Sequence, residues 1–367
     1  MPSGLAGYNV RQDGILLNDA PIADGTPFTH TGVPSGTDYS GRITVTAVDN
    51  NGNESAPVTL ADLGVALATT DPTPDVLLAP ETRQAIDGIV ASNLKPNTSV
   101  DGAIIGISTA EGGYRKAYGG DRTAGLTLTT DHRMRYGSVT KLFVGLLVLR
   151  QIDAGHLSFD DTLDKFVSGV ANNNKITVRH LLMMQSGIKD FLQQDPAVQQ
   201  TYFLNPTSKF DAMATIRSYT PLYEPGTNAT YSNSNYILLG LILEWCDAHY
   251  GTGRDIVTII IEDLLTPLGI ADDVEWPPGS YLTPPYSRAW SVNLALPSIQ
   301  SATFGLTFLA GLFGYPTGAE VEWTAVDSSW CGAAGALGGT LDGLMRFGQA
   351  LAAGEMLSPA MKQLRDE

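Results

Sequence analysis

The stretch at residues 135–149, RYGSVTKLFVGLLVL, constrains this chain most. A glycine turn leads into an apolar run, so a short extended entry followed by a buried helix is expected. Ser138 and Lys141 lie three residues apart. On a helix that spacing puts them on one face, about one turn apart. A serine hydroxyl is a weak nucleophile and needs a base beside it. A lysine held among apolar neighbours resists being charged, and its amine can then be that base. Phe143, Val144, Leu146 and Leu147 supply such neighbours. At the first turn of a helix, Ser138 also sits where outward N–H groups favour developing negative charge. Taken alone, the same residues equally describe a serine cap followed by a solvated lysine, and an isolated S-x-x-K is more often that.

The chain of 367 residues has room for two domains, or for one large domain with an extension. It is 43% hydrophobic and 16% charged, which suits a sizeable core. A net charge of −16, a pI of about 4.6 and the lack of any Lys/Arg run speak against a nucleic-acid partner. Two cysteines, Cys246 and Cys331, make no disulfide framework, and Cys246 falls in an apolar helical pattern as a core thiol would. No C-x-x-C pair or His cluster marks a metal site, and no cofactor is expected. The opening residues MPSGLAG lack a basic region followed by an apolar run, so no signal peptide is expected there. No stretch reaches the length of a membrane-spanning helix.

In chain order, residues 1–60 read as β structure. A hairpin over residues 7–17 turns at Asp13-Gly14, residues 39–49 alternate as a half-buried strand should, and residues 56–60 form an edge strand. Residues 61–80 form a linker stiffened by Pro72 and Pro74. The second domain is expected over residues 81–367. It opens with a helix near residues 80–94 and a hairpin of strands at 102–108 and 114–119. Residues 175–188 read as one helix closed by Gly187, and residues 195–222 as helical. His180 falls on an amphipathic helix position with no acid or metal ligand nearby in sequence, so a structural role is expected. Residues 270–330 form an insert rich in Pro, Trp and Tyr, fit either to wall a cleft or to pack on the helical part.

A second candidate stretch is PGTNATYSNSNYILLGLILE at residues 225–244, read as turn, loop and helix. Tyr231 and Asn233 can face one cleft from an extended loop. A phenol beside an ammonium gives up its proton more readily, so Tyr231 near Lys141 could take the Ser138 proton and return it to a leaving group. Asn233 could donate to a substrate carbonyl. The same loop also fits a polar cap on a helix that starts near Asn235.

Two family resemblances follow. GYNV, the Asp-Gly turn and VTAVDNNGNES resemble the later strands of a fibronectin type III module, without its first two strands and core tryptophan. Four ordered motifs resemble the penicillin-recognising serine hydrolases, namely class C β-lactamases, D-alanyl-D-alanine carboxypeptidases and related esterases. They are SVTK at 138–141, HLLMMQSGI at 180–188, PGT…YSNSNYILLG at 225–240 and CGAAGALGGTLDGLMRF at 331–347. The resemblance implies an α+β, β-lactamase-like fold: a helical subdomain plus an antiparallel sheet flanked by helices, behind an N-terminal partial β-sandwich. It implies Ser138 as acyl-enzyme nucleophile, Lys141 and Tyr231 as the proton-handling pair, and Asn233 as substrate ligand. The Ser138 backbone N–H would be half of an oxyanion hole.

The family's third motif, H-x-G or K-T-G, is expected on a strand after residues 347–361, beyond Glu367. The strands completing the sheet are then expected from a longer polypeptide or from another chain. His30-Thr31-Gly32 reads as a turn instead. The function expected from this resemblance is hydrolysis of D-alanyl peptides of bacterial cell wall. The alternatives are a β-lactamase or esterase, or a structural or wall-binding protein with an inactive domain. A fibronectin-like module joined to a wall-directed domain resembles phage tail proteins. The expected setting is therefore a virion or a cell surface, with partner chains in a larger assembly.

Overall fold

The computed structural model describes residues 5–12, 15–17, 43–49, 54–55, 58–59, 77–94, 102–109, 112–121, 126–288, 290–292, 320–322 and 324–366. The chain divides into two compact units, Met1–Asp75 with Arg346–Glu367, and Val76–Met345. The Asp13-Gly14 turn and His30-Thr31-Gly32 lie outside the described residues.

In the first unit, β1 (Leu5–Gln12), β2 (Ile15–Leu16), β3 (Ile43–Asp49) and β4 (Val58–Thr59) form an antiparallel sheet in the order β2-β1-β3-β4. Val10 faces Val45 and Tyr8 faces Ala47. Alternation in ITVTAVD buries Thr46 and Val48, two apart, as a strand of period two requires. Glu54 accepts hydrogen bonds from Arg11, Thr46 and Asn9 at 2.6 to 2.9 Å. The Arg11 guanidinium, with Thr46 and Asn9, holds its carboxyl down at about 2.

The second unit begins with α1 (Pro80–Asn93), where Pro80 takes the first helical position that needs no N–H donor. β5 (Gly102–Thr109), β6 (Gly112–Asp121) and β7 (Leu126–Thr127) follow as an antiparallel sheet in that order. Asp87 of α1 accepts from the Tyr114 and Tyr118 hydroxyls and the Lys116 ammonium of β6, which ties helix to sheet.

β8 (Met134–Arg135) leads into α2 (Thr140–Asp153). The remaining helices of this unit are α3 (Val178–Leu182), α4 (Pro196–Leu204), α5 (Ala212–Arg217), α6 (Asn233–Tyr250) and α7 (Ile256–Ile260). The helical core is α2 against α6. The two helices pack on each other, and Phe143, Val144, Leu146 and Leu147 of α2 and Leu238, Leu239, Ile242 and Leu243 of α6 are almost fully buried. Such burial stabilises by about 1.5–3 kcal/mol per side chain. Cys246 joins this core, and burial pushes its thiol up to about 11.

One predicted helix differs in the structure, and one helical stretch resolves into two. The one at 175–188 is only α3. Met184 and Gly187 take left-handed φ values of 59° and 76°, which end the helix and turn the chain. His180 is structural, since its backbone N–H and ring nitrogen form a capping box with Thr177. Residues 195–222 hold two helices, each capped by an aspartate, Asp195 and Asp211. Pro206, between them, cannot donate to a continuing ladder.

Four further strands are β9 (Val274–Glu275), β10 (Trp290–Val292), β11 (Glu320–Glu322) and β12 (Gly338–Gly339). β12 lies between β8 and β9, antiparallel to both, and β10 pairs with β11. The described parts of the 270–330 insert pack on β8 and on the helical part. The Arg135 guanidinium donates to the carbonyls of Ser280, Val326 and Thr324 at 2.6, 3.0 and 3.3 Å. Trp330 is fully buried and stacks on Phe210 with ring centroids 4.2 Å apart. Two last helices, α8 (Leu341–Ala353) and α9 (Pro359–Asp366), complete the described chain. Among the described residues, no helix is long and apolar enough to cross a membrane.

Candidate active site

The approach to Ser138 is fixed by β12. Arg135 pairs with Gly338 and Met134 with Gly339, the Tyr136 N–H donates to the Leu337 carbonyl at 2.9 Å, and the Leu337 N–H donates to the Thr140 hydroxyl at 3.1 Å. Gly137 has φ +53°, so the chain turns there into a short 3₁₀ turn, Gly137–Val139. Ser138 is exposed on that turn, just ahead of α2 rather than inside its first α-helical turn. Lys141 lies one turn further on and is 6% exposed.

The sequence-predicted residues come together. The Ser138 Oγ is 2.6 Å from the Tyr231 hydroxyl and accepts from Lys141 Nζ at 3.1 Å. Lys141 Nζ also donates to Asn233 Oδ1 at 2.8 Å and to the Ala334 carbonyl at 2.6 Å. It stands 5.0 Å from the centre of the Tyr231 ring and 5.7 Å from that of Tyr236. Burial, and then Tyr231 nearby, pushes the Tyr236 phenol up to about 12, which leaves it protonated and outside the proton traffic.

The Tyr231-to-Asn235 run sits in a cradle made by residues 184–194. Asn233 Nδ2 donates to both oxygens of Asp190, at 3.1 and 3.0 Å. The Ser234 hydroxyl donates to the Lys189 carbonyl at 2.6 Å and accepts from the Phe191 N–H at 3.3 Å. The Ser186 hydroxyl donates to Asn235 Oδ1 at 2.5 Å, and Thr230 N–H donates to the Met184 carbonyl at 2.9 Å. The cradle needs Gly187, because a Cβ there would meet the Tyr223 carbonyl oxygen at 2.2 Å. Gly240 plays a similar part on α6. Its bare Cα lets the helix approach Ala333, which brings the Ala334 carbonyl to Lys141.

The chemistry of this cluster is nucleophilic. An exposed hydroxyl faces a buried amine and a phenol that is 41% exposed. Two of the three acceptors of Lys141, Asn233 Oδ1 and the Ala334 carbonyl, can only accept. As an ammonium Lys141 donates to all three; as a neutral amine it would spend both its N–H groups on these two and turn its lone pair to the Ser138 proton. Asn233 is placed differently from its expected role. Its oxygen serves Lys141 and its nitrogen serves Asp190, so a substrate carbonyl would compete with Asp190 for an N–H. Among the described residues, no group of His, Cys, Asp and Glu could hold a metal ion.

Two contributors escape sequence reasoning. Asp190 lies two residues past the HLLMMQSGI motif, in the polar run KDFLQQD, where nothing local sets it apart from Asp195. The Ala334 carbonyl carries no side-chain signal at all.

This constellation and fold match those of the penicillin-recognising serine hydrolase family. The family model described as Beta-lactamase matches residues 82–367, and the chain belongs to that family. It is similar to Protein flp of Staphylococcus aureus strain COL, 29% identical over 176 residues, which are 46% of this chain and 34% of that relative. It is also similar to Penicillin-binding protein 4* of Bacillus subtilis strain 168, 23% identical over 263 residues, which are 70% of this chain and 54% of that relative. The chain thus spans about a third to a half of the length of these relatives. Among solved structures, a D-stereospecific amidohydrolase from Streptomyces sp. superposes with a TM-score of 0.61 at 24% identity, covering 79% of this chain and 76% of that one. The matched residues therefore have the β-lactamase-like fold, with helices and antiparallel strands combined.

Proposed function

We propose that this protein is a hydrolase that works through an acyl-enzyme on Ser138 and acts on D-alanyl peptides of bacterial cell wall. The observation that carries the reading is the pair of contacts at the Ser138 hydroxyl, 2.6 Å to the Tyr231 phenol and 3.1 Å to Lys141 Nζ. Ser138 Oγ adds to the substrate carbonyl carbon, its proton passes to the Lys141–Tyr231 pair, and that pair returns a proton to the departing amine. Water then cleaves the ester and frees Ser138. The Ser138 backbone N–H is one donor to the oxyanion. Preference for a D-amino acid is supported by the likeness to a D-stereospecific amidohydrolase. A β-lactam or an ester would enter the same cycle. An inactive, wall-binding domain is the competing reading, and the intact contacts at Ser138 favour the enzyme.

For residues 1–60 we propose a fibronectin-like module, with residues 61–80 as its linker, and with it a virion or cell-surface setting among partner chains. The support is the strand pattern of that segment. Mass spectrometry of purified virions and of cell-surface fractions tests the setting, and absence from both contradicts it.

Labelling with a fluorescent penicillin tests the enzymatic reading. The protein takes label and releases D-alanine from a D-alanyl-D-alanine peptide, and Ser138→Ala abolishes both. Failure of the unaltered protein to label or to turn over any D-alanyl peptide, β-lactam or ester leaves the binding reading in its place.

A further inference from the structure

We propose that Asp190 is a positioning residue for Lys141 and acts through the Asn233 carboxamide; the proposal rests on the acyl-enzyme reading above. Asp190 is 1% exposed, and Asn233 is 4% exposed. Asp190 is anchored by the chain around it. Its Oδ1 accepts from the backbone N–H groups of Leu192 and Gln193 at 2.9 and 3.1 Å, and its own N–H donates to the Gln194 side chain at 3.1 Å. A carboxylate held this way cannot turn to follow a partner.

The Asn233 amide spans the gap between that carboxylate and the Lys141 amine. A carboxamide has one accepting end and one donating end. With its nitrogen on Asp190 and its oxygen on Lys141, both ends meet the opposite kind of group. Rotation by half a turn would set the Asn233 oxygen against the carboxylate oxygens and turn its N–H groups toward Lys141 Nζ. The oxygen–carboxylate contact would be repulsive, and the groups are too buried for water to repair it. Asp190 therefore decides which end Lys141 sees.

That choice matters at Ser138. With Asn233 Oδ1 and the Ala334 carbonyl both accepting from Nζ, the third direction of the amine points to Ser138 Oγ, 3.1 Å away. If Asn233 presented its N–H instead, it would compete with Ser138 for the lone pair and take the base away from the nucleophile. The hydrogen bonds of Asp190 go to Asn233 and to its own loop rather than to Ser138, so its part is orientation only.

Asp190→Asn keeps the shape and removes the requirement that the partner donate. Two readouts separate this proposal from a purely structural role. In a ¹H–¹⁵N spectrum, the Asn233 carboxamide signals, identified by their loss in Asn233→Ala, shift on Asp190→Asn; this readout needs no activity. In fluorescent-penicillin labelling, Asp190→Asn slows acylation by about ten- to a hundredfold in the native background and less than about twofold in Asn233→Ala, because nothing is left to orient. Unchanged carboxamide signals overturn the proposal, and so does an equal rate loss in both backgrounds. If the unaltered protein takes no Ser138-dependent label, the acyl-enzyme reading fails, and the spectrum alone decides whether Asp190 orients Asn233. Should Asp190→Asn melt too low to study, Asp190→Ser, whose hydroxyl can still accept from Leu192, is carried through the same two readouts with the same outcomes.

Discussion

Tyr231 and Ser138 stand 93 positions apart in sequence and share a hydrogen bond of 2.6 Å in the fold. The contact depends on α2 and α6 packing side by side, since Ser138 lies just before one helix and Tyr231 just before the other. The core between these helices thus sets the geometry of the chemistry. Tyr231→Phe keeps the ring near Lys141 and removes only the hydroxyl. Acylation by a penicillin then falls by about 10²–10⁴, the usual worth of a positioned proton carrier. The melting temperature changes little, because the side chain is 41% exposed. Stopped-flow labelling together with a thermal melt checks both parts.

Gly240 tests the other side of Lys141. A Cβ on residue 240 would stand 2.8 Å from Ala333 Cβ, closer than side-chain carbons approach. Gly240→Ala is expected to cost about 1–3 kcal/mol in urea unfolding, as overpacked core positions do. It also slows acylation, because Ala334 moves with Ala333 and its carbonyl leaves Lys141. Ala333→Gly in the same chain removes the colliding methyl and restores most of both losses. If the pair is no better than Gly240→Ala alone, the steric account is wrong.

Asp87 gives the acid limb of stability a specific source. The Tyr114 hydroxyl first, then Tyr118 and Lys116, hold its carboxyl at about 2, below the ordinary 3.8. A carboxyl lowered on folding contributes stability above its unfolded value, and the contribution is lost as pH falls through the folded value. Asp87→Asn should therefore melt lower than the unaltered protein at neutral pH. The two melting curves should converge between about 4 and about 2. A gap of constant size down to pH 2 would refute this assignment. The side chain is 40% exposed, so solvent screens the effect, and its pH window is the informative quantity.

The sequence disclosed what rests on periodicity and on short-range geometry. The apolar face of α2 and the i, i+3 placing of Ser138 and Lys141 follow from helix geometry, and the placing of Tyr231 follows from its motif, although Asn233 opens α6 two residues earlier than the expected start near Asn235. Periodicity misled where backbone conformation overrode it. The apolar Leu181, Leu182, Met183 and Met184 suggested a long helix, yet Met184 adopts a positive φ and the chain turns to serve residues 222–230 with carbonyls. The helical stretch at 195–222 divides at Pro206 into two short helices, each opened by an aspartate cap. Asp190 and the Ala334 carbonyl were illegible for a different reason. Their importance lies in what faces them across 43 and 193 positions of chain, and no local pattern records that.

The central claim is that Ser138 becomes acylated, and intact-protein mass spectrometry after mixing with benzylpenicillin tests it most directly. The account predicts a single adduct of the mass of one penicillin, carried on the peptide that contains Ser138 and lost in Ser138→Ala. The account is contradicted if no adduct forms under conditions that acylate a known penicillin-binding protein, or if the adduct persists in Ser138→Ala.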